Sequence, residues 1–135
     1  MTLSQLENHV MFQTNNDQDD LEDFTPHIVD YINEAYDLLV FAWDHQHVVS
    51  GSETYPPLSA DSDVPNVPEW THRYLADWAT WLVYRNGNPQ KQQRGYAYRE
   101  RFENMLLMIA GQGGASGVNE DGSLKRYRNF YNIPE

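Results

Sequence analysis

The apolar positions of this chain fall three and four residues apart in four stretches, the rhythm of amphipathic helices. Leu3, Leu6, Val10 and Phe12 give the first stretch, about Leu3 to Gln13, an apolar side. Thr2 followed by Gln5 has the spacing of a capping box at its start. The second stretch opens at Thr25-Pro26, a hydroxyl N-cap with proline in the first turn, and carries Ile28, Ile32, Ala35, Leu39 and Ala42 or Trp43 to about His47. The third runs from near Pro68 to Arg85 and stops at the breaker Asn86-Gly87-Asn88-Pro89. The fourth, from Pro89 to about Ala110, aligns Tyr98, Phe102, Met105, Leu106 and Ile109 on one stripe. So short a break between the last two predicts an antiparallel helical hairpin.

The segments between are polar or irregular. Residues 15 to 23 form an acidic loop without helical periodicity, and residues 48 to 67 read as a proline-bearing extended connection. Gly111-Gln112-Gly113-Gly114 ends regular helix, and Asp121-Gly122 marks a turn in a tail that could hold a small hairpin. The pattern therefore predicts an all-α bundle of about four helices over residues 1–110, with a glycine-rich, basic-aromatic tail over residues 111–135. A core is expected from Tyr74, Leu75, Trp78, Leu82, Phe102, Leu106 and Ile109. The third helix also holds Trp70, Trp81 and Tyr84, more aromatics than one side of a helix accommodates. Surplus aromatics with arginine are the composition of an interface centre.

At 135 residues the chain is one domain by size, with room for a single modest core. No apolar run approaches the roughly 18 residues that span a bilayer, and the N-terminal segment lacks the basic and apolar regions of a signal peptide. A protein suited to water and to a reducing compartment is expected. The absence of cysteine excludes disulfides, a thiol nucleophile and thiolate metal sites. The net charge of −11 is unevenly spread. Residues 1–72 hold 14 acids and no Lys or Arg, whereas residues 73–135 hold six acids and all nine bases, giving −14 and +3. Such a molecule can associate head to tail, and so acidic a chain is a poor ligand for nucleic acid phosphates.

Candidate chemistry is sparse. Asp17, Asp19, Asp20, Glu22 and Asp23 suggest calcium, but the sixth and twelfth positions of a loop begun at Asp17 are Glu22 and Ile28, where an EF-hand requires Gly and Glu. A solvated acidic loop is the expectation. His45 and His47 lie two apart and do not share a helical face. No nucleophile elbow, phosphate loop or dinucleotide fingerprint occurs, and no metal or other cofactor is expected. Two charged faces stand out instead. Asp30, Glu34 and Asp37 sit at i, i+4 and i+7 of the second helix, and Arg94 and Arg101 at i and i+7 of the fourth. Solvated faces are one reading. The other is a salt-sensitive contact between neighbouring subunits, in which Lys125, Arg126, Tyr127 and Arg128 of the tail supply further basic surface.

The order of parts resembles the head–tail connector (adaptor, or neck) proteins of tailed bacteriophages. A Thr2-Leu3-Ser4-Gln5-Leu6 helix comes first, then the acidic loop, then Ile28-Val29-Asp30-Tyr31-Ile32-Asn33-Glu34-Ala35. A Tyr55-Pro56-Pro57-Leu58 connection leads to Pro68-Glu69-Trp70 and Leu75-Ala76-Asp77-Trp78-Ala79-Thr80-Trp81. Gly87-Asn88-Pro89-Gln90-Lys91 and Tyr98-Arg99-Glu100-Arg101-Phe102-Glu103 close the likeness, which covers residues 2–109 and rests on helix patterns. The glycine-rich tail and the acid bias depart from it. The resemblance implies a non-enzymatic virion protein that docks on the portal and forms a homo-oligomeric ring around the DNA channel. Such a ring is a platform for further neck or tail proteins, is assembled in the host cytoplasm, touches no membrane and passes DNA without binding it specifically. The tail's composition, with Leu124, Tyr127, Phe130, Tyr131 and Ile133 too apolar for a solvated linker, leads to the expectation that it orders against a neighbouring subunit or the portal, or else folds back on its own helices. Two other classes stay open: an acidic accessory protein that binds a basic partner as a DNA mimic or antirepressor does, and a metal-dependent hydrolase built from the Asp, Glu and His set.

Overall fold

The computed structural model of the chain describes residues 1–47 and 54–111. Among them are four α-helices, α1 (Leu3–Gln13), α2 (Ile28–His47), α3 (Glu69–Arg85) and α4 (Pro89–Gly111), with short 3₁₀ segments at Asn15–Asp20 and Thr25–His27. The fold is all-α, with no strand among the described residues. The tail beyond Gly111, including the turn expected at Asp121-Gly122, lies outside them.

Local chemistry accounts for the helix ends. The Thr2 hydroxyl accepts from the Gln5 amide at 3.2 Å, and the Gln5 side chain accepts from the Thr2 amide at 2.8 Å, completing the capping box. The next free amides of α1, Leu3 and Ser4, donate to the carbonyls of Asp63 and Asp61, so the connection satisfies donors that a helix start leaves open. The second helix begins otherwise than expected. Thr25 and Pro26 form a 3₁₀ turn and give no side-chain cap; Asp23 accepts from the Thr25 amide at 3.1 Å, and α2 proper starts at Ile28. Pro89 opens α4, where its missing amide hydrogen costs nothing, and the Asn88 side chain accepts from the Lys91 amide at 3.0 Å.

The third helix is the spine of the bundle. It packs against α1, α2 and α4, most extensively against α4, its partner in the antiparallel hairpin. A helix surrounded on three sides needs apolar or small residues nearly all round, and α3 buries Leu75, Ala76, Ala79, Thr80, Leu82 and Val83. Gly95 lets α4 come close: a Cβ there would lie 2.7 Å from the Tyr84 Cβ and 2.8 Å from the Trp81 ring. Leu3, Leu6 and Val10 of α1, Ile28, Ile32 and Leu39 of α2, and Phe102, Met105 and Ile109 of α4 complete one continuous core.

The expected core is shifted around α3. Leu75, Leu82, Phe102 and Ile109 are fully buried, while Tyr74, Trp78 and Leu106 pack on its margin and stay partly exposed. Of the tryptophans and tyrosines of α3, Trp81 and Tyr84 are the buried ones. The reason is that α4 covers the Trp81–Tyr84 side, where Tyr96 stacks on Trp81 at 5.1 Å and Tyr98 on Tyr84 at 6.2 Å. Trp78 instead leans on Phe102 at 4.9 Å and turns its indole N–H outward to Glu34.

The connection before α3 is strapped down where it is described. Asn33 of α2 donates to the Leu58 carbonyl at 2.9 Å and accepts from the Leu58 amide at 2.8 Å, and the Tyr36 hydroxyl accepts from the Asn66 amide at 2.8 Å. Leu58 is thereby held in the core.

Candidate functional site

Three polar features among the described residues bear on function. The first is the acidic stripe on α2. Asp30, Glu34 and Asp37 are exposed on one face and are continued along it by Leu38 and Phe41, the latter 77% exposed. A stripe of this length covers about 16 Å at 1.5 Å per residue. It is acidic at one end and apolar at the other. Glu34 is also tied into the bundle, accepting from the Trp78 indole nitrogen at 3.1 Å.

The second feature is a cluster around Asp17, where the structure departs most from the sequence reading. The loop was expected to be solvated, but Asp17 is 6% exposed. One carboxylate oxygen accepts from Lys91 Nζ at 2.7 Å and from the Arg94 guanidinium; the other accepts from the Tyr84 hydroxyl at 2.6 Å. Lys91 also reaches Asp20 at 3.3 Å. Burial alone pushes the Asp17 carboxyl up, but Lys91, Tyr84 and Arg94 together outweigh it and hold the carboxyl below the usual range. Burial and the Asp17 carboxylate both push the Tyr84 phenol up. Arg94, expected to face a neighbouring subunit, is therefore paired within its own chain. The cause is the 3₁₀ segment Asn15–Asp20, which folds against the first turns of α4 and brings an acid to them. Nothing local distinguishes Asp17 from Asp19 or Asp20 in the sequence, so its role could not be read there.

The third feature is a groove between α1 and α4 floored by α3. Two adjoining hollows of about 410 and 550 Å³ share His9, Gln13 and Arg101. Arg73, Tyr74 and Asp77 line the first; Phe12 and Tyr98 line the second. Asp77 is buried, and burial pushes its carboxyl up, opposed by Gln13, Arg101, His9 and Arg73. Gln13 Nε2 donates to Asp77 at 2.7 Å, and its oxygen accepts from Thr80 at 2.6 Å, which locks α1 to α3. The Arg101 guanidinium lies 3.9 Å from Asp77 and 5.1 Å over the Tyr98 ring, with its side chain 57% exposed. Arg73 caps the Tyr74 ring at 5.1 Å. Phe12 is 79% exposed. The groove thus presents two arginines and several rings against one internally bonded carboxylate.

Of the residues singled out by sequence, Asp30, Glu34 and Asp37 come together on one exposed face and Arg101 lies in the groove, whereas Arg94 belongs to the Asp17 cluster. Lys125, Arg126, Tyr127 and Arg128 lie outside the described residues, as do the side chains of His45 and His47. Among the described residues, no group of three or more His, Asp or Glu is placed to hold a metal ion, and no helix is long and apolar enough to cross a membrane. Comparison with protein-family models, curated proteins and solved structures finds no match to this chain.

Proposed function

We propose that the chain is a structural subunit of the neck of a tailed bacteriophage, a head–tail connector that docks beneath the portal as a ring and offers a platform to later neck or tail proteins. The observation that carries the reading is the correspondence of order. The segments that carry the resemblance form helices and connections of one all-α bundle, a fold compatible with the reading. Surface chemistry supports it. The acidic half suits a ring through which DNA passes, because like charge keeps phosphates from adhering. The apolar continuation of the α2 stripe at Leu38 and Phe41 favours a protein contact over mimicry of DNA, whose charge runs unbroken along the backbone.

The test is co-sedimentation of the purified chain with its cognate portal ring. Several copies per portal, lost when the portal is omitted, are expected. Failure to co-sediment, or one-to-one capture of a basic protein instead, would overturn the reading in favour of an accessory acidic protein.

A further inference from the structure

We infer that the groove between α1 and α4 is the receptor for the acidic-apolar stripe of α2 on a second copy of this chain, forming a head-to-tail contact. The inference deepens the connector reading by naming the contact between subunits, and rests on that reading only for its biological setting. Three observations choose this occupant. The groove is a locally basic place on a chain of net charge −11, since two arginines, Arg73 and Arg101, face one carboxylate, Asp77, which bonds Gln13 and pairs with Arg101. The other cations near it are committed elsewhere: Lys91 and Arg94 to Asp17, and Arg99 to Glu103. The stripe of α2 matches the groove in kind along its length, with Asp30, Glu34 and Asp37 for the arginines, and Leu38 and Phe41 for Phe12 and Tyr98.

The two surfaces are different patches built from different helices. A copy that donates its stripe keeps its own groove for the next one. Such heterologous contacts propagate, and they close into a ring when the rotation between neighbours permits. The arginines give the contact its register and its salt dependence, while the rings exclude water around them.

Charge reversals in separate chains test this at two exposed side chains, Asp37 and Arg101; because Arg101 also pairs with the buried Asp77, Arg101→Gln repeats the groove test without setting a like charge beside that acid. Asp37→Lys spoils the stripe and spares the groove; Arg101→Glu spoils the groove and spares the stripe. Sedimentation velocity of the full chain at low ionic strength should show concentration-dependent oligomers that dissociate near 1 M salt, where the screening length is about 3 Å. Each variant alone should associate on the order of a hundredfold more weakly, since facing like charges costs several kcal/mol. An equal mixture of the two should associate again, because the intact stripe of the Arg101→Glu chain fits the intact groove of the Asp37→Lys chain. Circular dichroism of each variant checks that the bundle is intact. Wild-type protein that stays monomeric at every salt and concentration overturns the contact, as do variants that assemble like wild type and a mixture that does not pair. In each of those cases the portal assay still reports separately on the connector reading.

Discussion

Replacing Asp17 by alanine tests whether the acidic 3₁₀ segment holds the bundle together or merely rides on it. The carboxylate serves three donors, and their environments set the cost. The Tyr84 hydroxyl is buried and has its 2.6 Å bond to Asp17; a buried donor left without a partner costs about 1–3 kcal/mol. Breaking a buried ion pair by removing one member costs about 3–5 kcal/mol in general. The lower end applies here, because Lys91 keeps Asp20 at 3.3 Å and Arg94, 57% exposed, can turn to water. We expect Asp17→Ala to lose about 3 kcal/mol, a fall in Tm on the order of 10 °C for a domain of this size. Chemical denaturation followed by tryptophan fluorescence measures it. The pH dependence gives a second handle. The folded carboxyl sits below its unfolded value, so its stabilising effect is present above about pH 4 and is lost as the pH falls through the folded value. The acid limb of the wild-type stability curve should therefore be shallower in Asp17→Ala. A loss below about 1 kcal/mol with an unchanged acid limb would refute the reasoning and return the cluster to the class of exposed pairs.

Gly95→Ala should destabilise the α3–α4 hairpin despite a helix-propensity gain of about 1 kcal/mol, because the new methyl meets Tyr84 Cβ and the Trp81 ring below 3 Å and overpacking costs about 1–3 kcal/mol; thermal unfolding gives the sign, and Gly95→Val should be worse. Asn33→Ala should free the Leu58 amide, read as faster hydrogen exchange at Leu58 with α1 little changed. Trp78→Ala should cost less than the roughly 3–5 kcal/mol typical of a buried aromatic, since Trp78 is partly exposed, whereas Phe102→Ala should reach that range in denaturant titrations.

The helices were legible because their signals are local. The Thr2–Gln5 box, the proline-bearing starts and the Asn86-Gly87-Asn88-Pro89 breaker act within a few residues, and the bundle places its α-helical ends where they predict, apart from the 3₁₀ turn at Thr25–His27. Which side of α3 is most buried was not legible. Apolar residues run around the whole helix, so periodicity could not rank Tyr74 and Trp78 below Trp81 and Tyr84; only the placement of α4 does. The Asp17 cluster was hidden for the same reason, since Asp17 lies 67 to 77 positions from Tyr84, Lys91 and Arg94 and meets them only through tertiary packing. The acidic stripe on α2 was visible in its spacing. The groove was not, because it draws His9, Phe12, Asp77, Tyr98 and Arg101 from three helices.

Electron cryo-microscopy of the chain bound to its cognate portal is the decisive test of the proposed connector role. A closed ring of copies under the portal is expected, coaxial with the channel, with the α2 stripe of each copy seated in the α1–α4 groove of its neighbour. A portal with no added density, or single copies scattered on its side wall, would contradict it.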